Sequence, residues 1–149
     1  MNNELFSLVK KKKFKEFQKL VTDNLDNILL DLNIRDDGKM YLINYAILDN
    51  NANIVKFLIN NGARIDITDE YNRSILFYPI KYTYNDITNT LLELNKKYLG
   101  INILDIVDVN GNTAIFYCII YKNLEIGKII INETNVNNYN NKGLTLIHY

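Results

Sequence analysis

A chain of 149 residues that is 48% hydrophobic and 23% charged, with equal numbers of acidic and basic side chains, holds enough apolar material for a packed core. It carries no disorder signature. Zero net charge argues against a general binder of nucleic acid or anionic membrane, since neutralising phosphate needs an excess of Lys and Arg on one face. The single cysteine, Cys118, excludes an internal disulfide, and no apolar run of signal-peptide or membrane-spanning length follows Met1. An intracellular, cytoplasmic or virion-associated protein is expected, not a secreted one.

In chain order, Glu4–Lys11 and Phe14–Asp23 read as a helix pair with Lys and Glu facing water. The run Lys10-Lys11-Lys12-Lys13 joins them and is most simply a solvated turn. From Asp36 a pattern begins that returns three times. Asp36–Ile47 reappears as Asp69–Ile80, as Asp108–Ile119 and, cut short, as Asn140–Tyr149, at spacings of 33, 39 and 32 residues. Such a period marks a stacked repeat of one supersecondary unit.

Each copy opens on an Asp- or Asn-led turn, because Asx side chains bond nearby backbone amides and Gly tolerates positive φ. In the first copy a short inner helix follows over Leu42–Leu48, then a turn at Asp49-Asn50-Asn51 and an outer helix over Asn53–Asn60. Gly62 stands where a left-handed residue ends that helix, and Ile65–Asp69 runs on as an extended hairpin arm. The second copy has its inner helix over Ser74–Tyr82, distorted by Pro79, which lacks a backbone donor. Its outer helix covers Asp86–Leu94. Six additional residues fall within Asn95–Ile103, as a longer helix or a bulged loop.

The third copy is the clearest. Asp108–Asn112 forms the turn, Thr113 is placed to cap with its hydroxyl, and Ala114–Tyr121 and Leu124–Ile131 form the helix pair, with Lys122-Asn123 between them. None of these helices is long enough to persist alone, so stacking must hold them.

Gly111-Asn112-Thr113-Ala114-Ile115, Gly143-Leu144-Thr145-Leu146-Ile147-His148 and Ile54–Asp66 together resemble the ankyrin-repeat pattern, whose first helix opens G-x-T-P-L-H and whose second reads I-V-x-x-L-L before x-x-G-A. The resemblance implies an all-α solenoid of helix pairs joined by β-hairpin-like loops. Residues 1–35 would be an N-terminal cap, 36–68 a repeat, 69–107 a repeat with an insertion, 108–139 a repeat and 140–149 a truncated one. The motif's proline is absent, with Leu42, Ile75, Ala114 and Leu146 in its place, so looser first turns are expected. In composition and degenerate repeats the chain also resembles ankyrin proteins of large DNA viruses and of some intracellular bacteria or AT-rich protists, a resemblance that implies a viral or parasite protein engaging a host factor.

Nothing in the sequence gives catalysis a foothold: nucleotide-binding, nucleophile-elbow and zinc-protease motifs are missing. No cofactor or metal is called for. His148, the only histidine, is expected to bond the hairpin backbone of a neighbouring repeat. Cys118 is expected to be a packed, inert thiol. Asp36, Asp69 and Asp108 recur because each closes the same turn. Tyr45, Tyr78, Tyr117 and Tyr149 share one repeat position and are expected to form a ladder with their hydroxyls reaching water.

What the family resemblance implies for function is a scaffold that binds a partner protein with hairpin tips and concave inner-helix surface. The candidate residues are Thr68, Glu70, Tyr71 and Arg73 in one finger and Val109, Asn110 and Asn112 in the next. Lys81, Tyr82, Ile120 and Tyr121 stand behind them. The alternative is an assembly protein that self-associates, or packs on a larger partner, through Leu144–Tyr149.

Overall fold

The computed structural model describes residues 1–27, 30–97, 100–134 and 137–148. The chain forms two compact units, residues 1–64 and 65–149.

The first unit contains α1 (Asn2–Lys10), α2 (Phe14–Asp23), α3 (Leu42–Leu48) and α4 (Ala52–Asn60). α1 packs on α2 and α3, and α3 packs on α4. Spacing of four residues puts Leu5 and Val9, Phe17 and Val21, Ile43 and Ile47, and Ile54 and Leu58 on buried faces. Phe17 meets Phe57 edge to face at 6.4 Å. Gly62 has φ +99°, and the amide of Ala63 donates to the carbonyl of Leu58 at 2.9 Å, so the glycine ends α4 as expected.

The second unit contains α5 (Phe77–Lys81), α6 (Asn85–Asn95), α7 (Ala114–Ile120), α8 (Leu124–Ile130) and a short 3-10 turn at Leu146–His148. α5 packs on α6 and α7, while α8 packs on α7 and α6. Ile80, Ile87, Leu91, Ile103, Ile115, Phe116, Ile126 and Ile130 fill the interior. The inner helix expected over Ser74–Tyr82 in a distorted form is instead cut to Phe77–Lys81. Regular geometry starts only at Phe77, since a proline at 79 has no N–H to return to Ile75. α6 stops at Asn95, where the side chain accepts from the amide of Ile103 at 3.0 Å and donates to Asn102 at 2.7 Å. Part of the insertion, residues 98 and 99, lies outside the described residues.

Four helix junctions share one construction. Lys12, Asn50, Thr83 and Lys122 each take φ between +53° and +57°. The next residue's amide then reaches back across the turn: Lys13 to Leu8, Asn51 to Ala46, Tyr84 to Pro79 and Asn123 to Cys118, at 2.8–3.0 Å. This is a Schellman-type closure. The α1–α2 junction, which the sequence presents only as a lysine run, has the same bonds as the others. Two of its lysines are engaged as well, Lys10 with Asp36 at 2.6 Å and Lys12 with Asp49.

Two hydrogen-bonding expectations are corrected. Thr113 is the N-cap of α7 in an extended conformation, but its hydroxyl accepts no capping bond. The side-chain caps belong instead to the outer helices, where Asn51 accepts from Ile54 and Asn123 from Ile126. His148 does not reach a neighbour. Its Nδ1 accepts from the amide of Thr145 at 3.1 Å, within its own turn. Asn44 does the same three residues after Tyr41, accepting that amide at 3.0 Å.

Candidate functional site

The fingers are built by their leading side chains. Asp69 Oδ1 accepts from the amides of Tyr71 and Arg73, Asp108 Oδ1 from those of Asn110 and Asn112, and Asn140 Oδ1 from those of Lys142 and Leu144, at 2.8–3.1 Å. Asp36 accepts from Met40 at 3.0 Å. These acids close turns, as their recurrence suggests. The fourth residue of each finger is left-handed: Lys39, Asn72, Gly111 and Gly143, with φ from +56° to +78°.

In the second unit the fingers are laced to one another. The amide of Val109 donates to the carbonyl of Tyr71 at 3.0 Å, and that of Asn141 to Asn110 at 2.9 Å. Asn72 Nδ2 donates to Val107 at 2.7 Å and Asn141 Nδ2 to Val109 at 2.9 Å. Asn123, 2% exposed, ties the helices below by donating to Ile80 and Asn85.

Between two fingers and the inner helices α5 and α7 lies a cavity of about 290 Å³. Seven of the eleven candidate residues line it: Tyr71, Arg73, Val109, Asn110, Asn112, Ile120 and Tyr121. Thr68, Glu70, Lys81 and Tyr82 do not. Thr68 pairs with Ser74 across its hairpin, Glu70 faces water, and Lys81 rests over the rings of Phe77, Tyr82 and Tyr121. Tyr82 packs on Tyr84 with ring centroids 5.7 Å apart. Asn112 is no surface residue. It is 7% exposed, donates to Asp108 and accepts from Asn140, so it positions the fingers.

Sequence reasoning missed three lining residues, Phe77, Asp108 and Tyr117, as binding-surface members. Phe77 lies four residues before Lys81 and Tyr117 four before Tyr121, a spacing that places helical side chains on one face. Phe77 is the hub. Tyr117 and Tyr121 meet its ring edge-on at 5.0 and 5.8 Å, and the Arg73 guanidinium lies 3.9 Å from its centroid. Arg73 is fixed by Asp69, with Nε and a terminal nitrogen each 2.6 Å from Oδ2, and it also donates to the Tyr78 hydroxyl at 3.1 Å. Burial alone would lower its pKa. The Asp69 carboxylate more than offsets this and raises it.

The expected tyrosine ladder is not formed by direct contact. Phe77 stands between Tyr78 and Tyr117, meeting both, and Tyr45 donates to Asp36 at 2.6 Å rather than to water. Tyr149 lies outside the described residues. Tyr117 is 1% exposed, and its hydroxyl is sealed from solvent beside Asp108. Burial, reinforced by the charge of Asp108, pushes its pKa far above the ordinary tyrosine value. Cys118 is buried, and desolvation raises its thiol to about 12, an unreactive state.

Among the described residues no cluster of three or more His, Cys, Asp or Glu could hold a metal ion, and no helix is long and apolar enough to cross a membrane. A family model of ankyrin repeats in three copies matches residues 9–103. The chain is 36% identical over 147 residues to an ankyrin repeat protein of Acanthamoeba polyphaga mimivirus. That match covers 98% of this chain and 19% of the viral protein's length. With helix pairs closed by a common turn, Asx-led fingers and a match across most of its length, the chain belongs to the ankyrin-repeat family.

Proposed function

We propose that this chain binds a partner protein through the fingers and inner helices of residues 65–149, as a viral scaffold engaging a host factor. Ankyrin repeats are a protein-interaction, non-catalytic class. The observation that carries the reading is the composition of one face. Tyr71, Val109 and Ile120, exposed by 51, 55 and 39%, surround Arg73 and Tyr121 at the mouth of the cavity. Tyr and Arg are the residue types in which interface energy concentrates. The laced fingers hold this face rigid, so little conformational entropy is lost on binding.

Capture from an Acanthamoeba extract tests the reading. Val109→Glu and Tyr121→Ala together should abolish retention of a partner while leaving the thermal unfolding curve cooperative. Retention unchanged by both substitutions would overturn it. The compartment follows the partner, and the cytoplasm is the expectation.

A second reading is self-association. Ile115, Leu124, Ile131 and Leu146 border an apolar cleft of about 310 Å³ on α7 and α8, and Leu124 is 67% exposed. Sedimentation across a wide concentration range separates the two, because a monomer throughout argues against this cleft joining copies.

A further inference from the structure

The fingers and inner-helix ends of residues 65–149 treat the two signs of charge differently. Both leading carboxylates are turned inward. Asp69, its side chain 8% exposed, holds Arg73 and two backbone amides, and Asp108, 8% exposed, accepts from Asn110 and Asn112. What these elements leave to water is Glu70 against Lys81, Lys122 and Lys142, the first lysine half-buried and the others exposed. Positive charge therefore predominates locally, on a chain whose total charge is zero.

Lys81 is the cation held in place. Its Nζ lies 5.7 Å from the ring centroid of Phe77, 5.3 Å from that of Tyr82 and 5.8 Å from that of Tyr121, so rings from both inner helices fix it. Among the described residues it makes no ion pair, whereas Lys10, Lys12, Arg73 and Lys96 each have a carboxylate. The fold does not require a charge there. Leu48 and Ile120, both partly exposed, occupy the same position in the neighbouring copies, 33 residues before and 39 after.

Exposed ion pairs contribute little because a mobile lysine must be ordered and water screens the pair. At Lys81 the rings have already restricted the side chain and displaced water from part of the ammonium. A carboxylate arriving there meets a charge that is both oriented and less screened. Nucleic acid fits less well. It needs a row of cations for its phosphates, and the neighbours of this lysine across the cavity are the apolar Val109 and Ile120, 55 and 39% exposed.

We propose that the partner protein meets this face with an acidic segment, one carboxylate of which pairs with Lys81 beside Phe77, Tyr82 and Tyr121 while an adjoining apolar side chain packs at Val109 and Ile120. The proposal rests on the partner-binding reading of this face and specifies the chemistry of the segment it selects.

The test selects random twelve-residue peptides displayed on phage against the full chain. The tightest peptide is then compared, by fluorescence anisotropy, with a copy in which Asn and Gln replace its Asp and Glu. Selected peptides should be enriched in Asp and Glu over the starting pool, and the amide copy should bind about tenfold more weakly, the effect of one charge-assisted hydrogen bond. High salt should narrow that gap. Lys81→Gln should erase it with the thermal unfolding curve still cooperative, whereas Lys81→Arg should keep it. Lys15→Gln, which removes an exposed lysine from residues 1–64, should leave it unchanged. A selection without acid enrichment, a gap that survives Lys81→Gln or vanishes equally in Lys15→Gln, or a thymidine dodecanucleotide that binds more tightly than the acidic peptide would each overturn the proposal. If the selected peptides show no acid preference yet are released by Val109→Glu with Tyr121→Ala, the anchor is wrong and the interaction face stands.

Discussion

The fingers at Asp36–Met40 and Asp108–Asn112 perform the same turn by different means. In the later finger the carboxylate is held by neutral N–H donors, glycine occupies the left-handed position, and the turn is pressed against the backbone of the next finger. In the earlier one a lysine occupies the left-handed position, and the carboxylate is held by one backbone amide, a tyrosine hydroxyl and the Lys10 ammonium. Geometry that glycine and close packing supply in one place is supplied in the other by charge. The two should therefore fail under different insults.

The largest expected effect is Gly111→Ala. A Cβ there would sit 2.9 Å from the backbone nitrogen of Asn141 and 2.6 Å from its Oδ1, on a residue with φ +78°. Left-handed strain and the forced shift of a packed finger should together cost about 3 kcal/mol, read as a lowered urea midpoint. A midpoint within error of the parent would mean that the fingers are not tightly apposed.

Next comes the charge-held finger. Burial would raise the pKa of Asp36, but Lys10, Tyr45 and the amide of Met40 outweigh it and bring the carboxyl from 3.8 to about 2. A lowered folded-state pKa means stability that is complete above the ordinary value of about 4 and lost as pH falls through about 2. Asp36→Asn should cost about 1 kcal/mol at neutral pH, after allowance for screening of the half-exposed Lys10. Its midpoint should also change less than the parent's between pH 5 and 2. High salt should narrow the gap between the two proteins.

Lys39→Gly should go the other way, raising the midpoint by up to about 1 kcal/mol, because glycine enters the left-handed region without the Cβ penalty. Smallest is Gly38→Ala. This glycine lacks a positive φ, and an added Cβ would meet only the Asp36 side chain at 3.3 Å, so a change within about 0.5 kcal/mol is expected. Glycines one position apart in the repeat should thus differ severalfold in what replacing them does.

That last contrast shows how far the sequence can be read. Gly38 and Gly111 both look like the turn glycine, yet the left-handed residue of the first finger is Lys39, because the backbone needs that conformation whatever side chain is present. Helices were legible from apolar spacing, and Leu42–Leu48 and Phe14–Asp23 are bounded as the pattern predicts. Pro79 announced a disturbed helix but not that regular geometry would begin only at Phe77. The helix junctions were obscure because none of the four contains glycine, so their main-chain closure left no mark in composition. The cavity was half visible. Exposed Tyr71, Val109 and Ile120 stand out as surface types, whereas Tyr117 reads as one more ring in a row and the burial of its hydroxyl is a property of packing.

The closure repeated at Lys12, Asn50, Thr83 and Lys122 depends on main-chain atoms, and all four residues are exposed. Two lysines, an asparagine and a threonine serve equally, so these positions exert little restraint on codon choice. Genetic drift can rewrite the hinges of such a protein freely while the angle between paired helices is inherited unchanged, which is how a repeat can outlast the resemblance of its own copies.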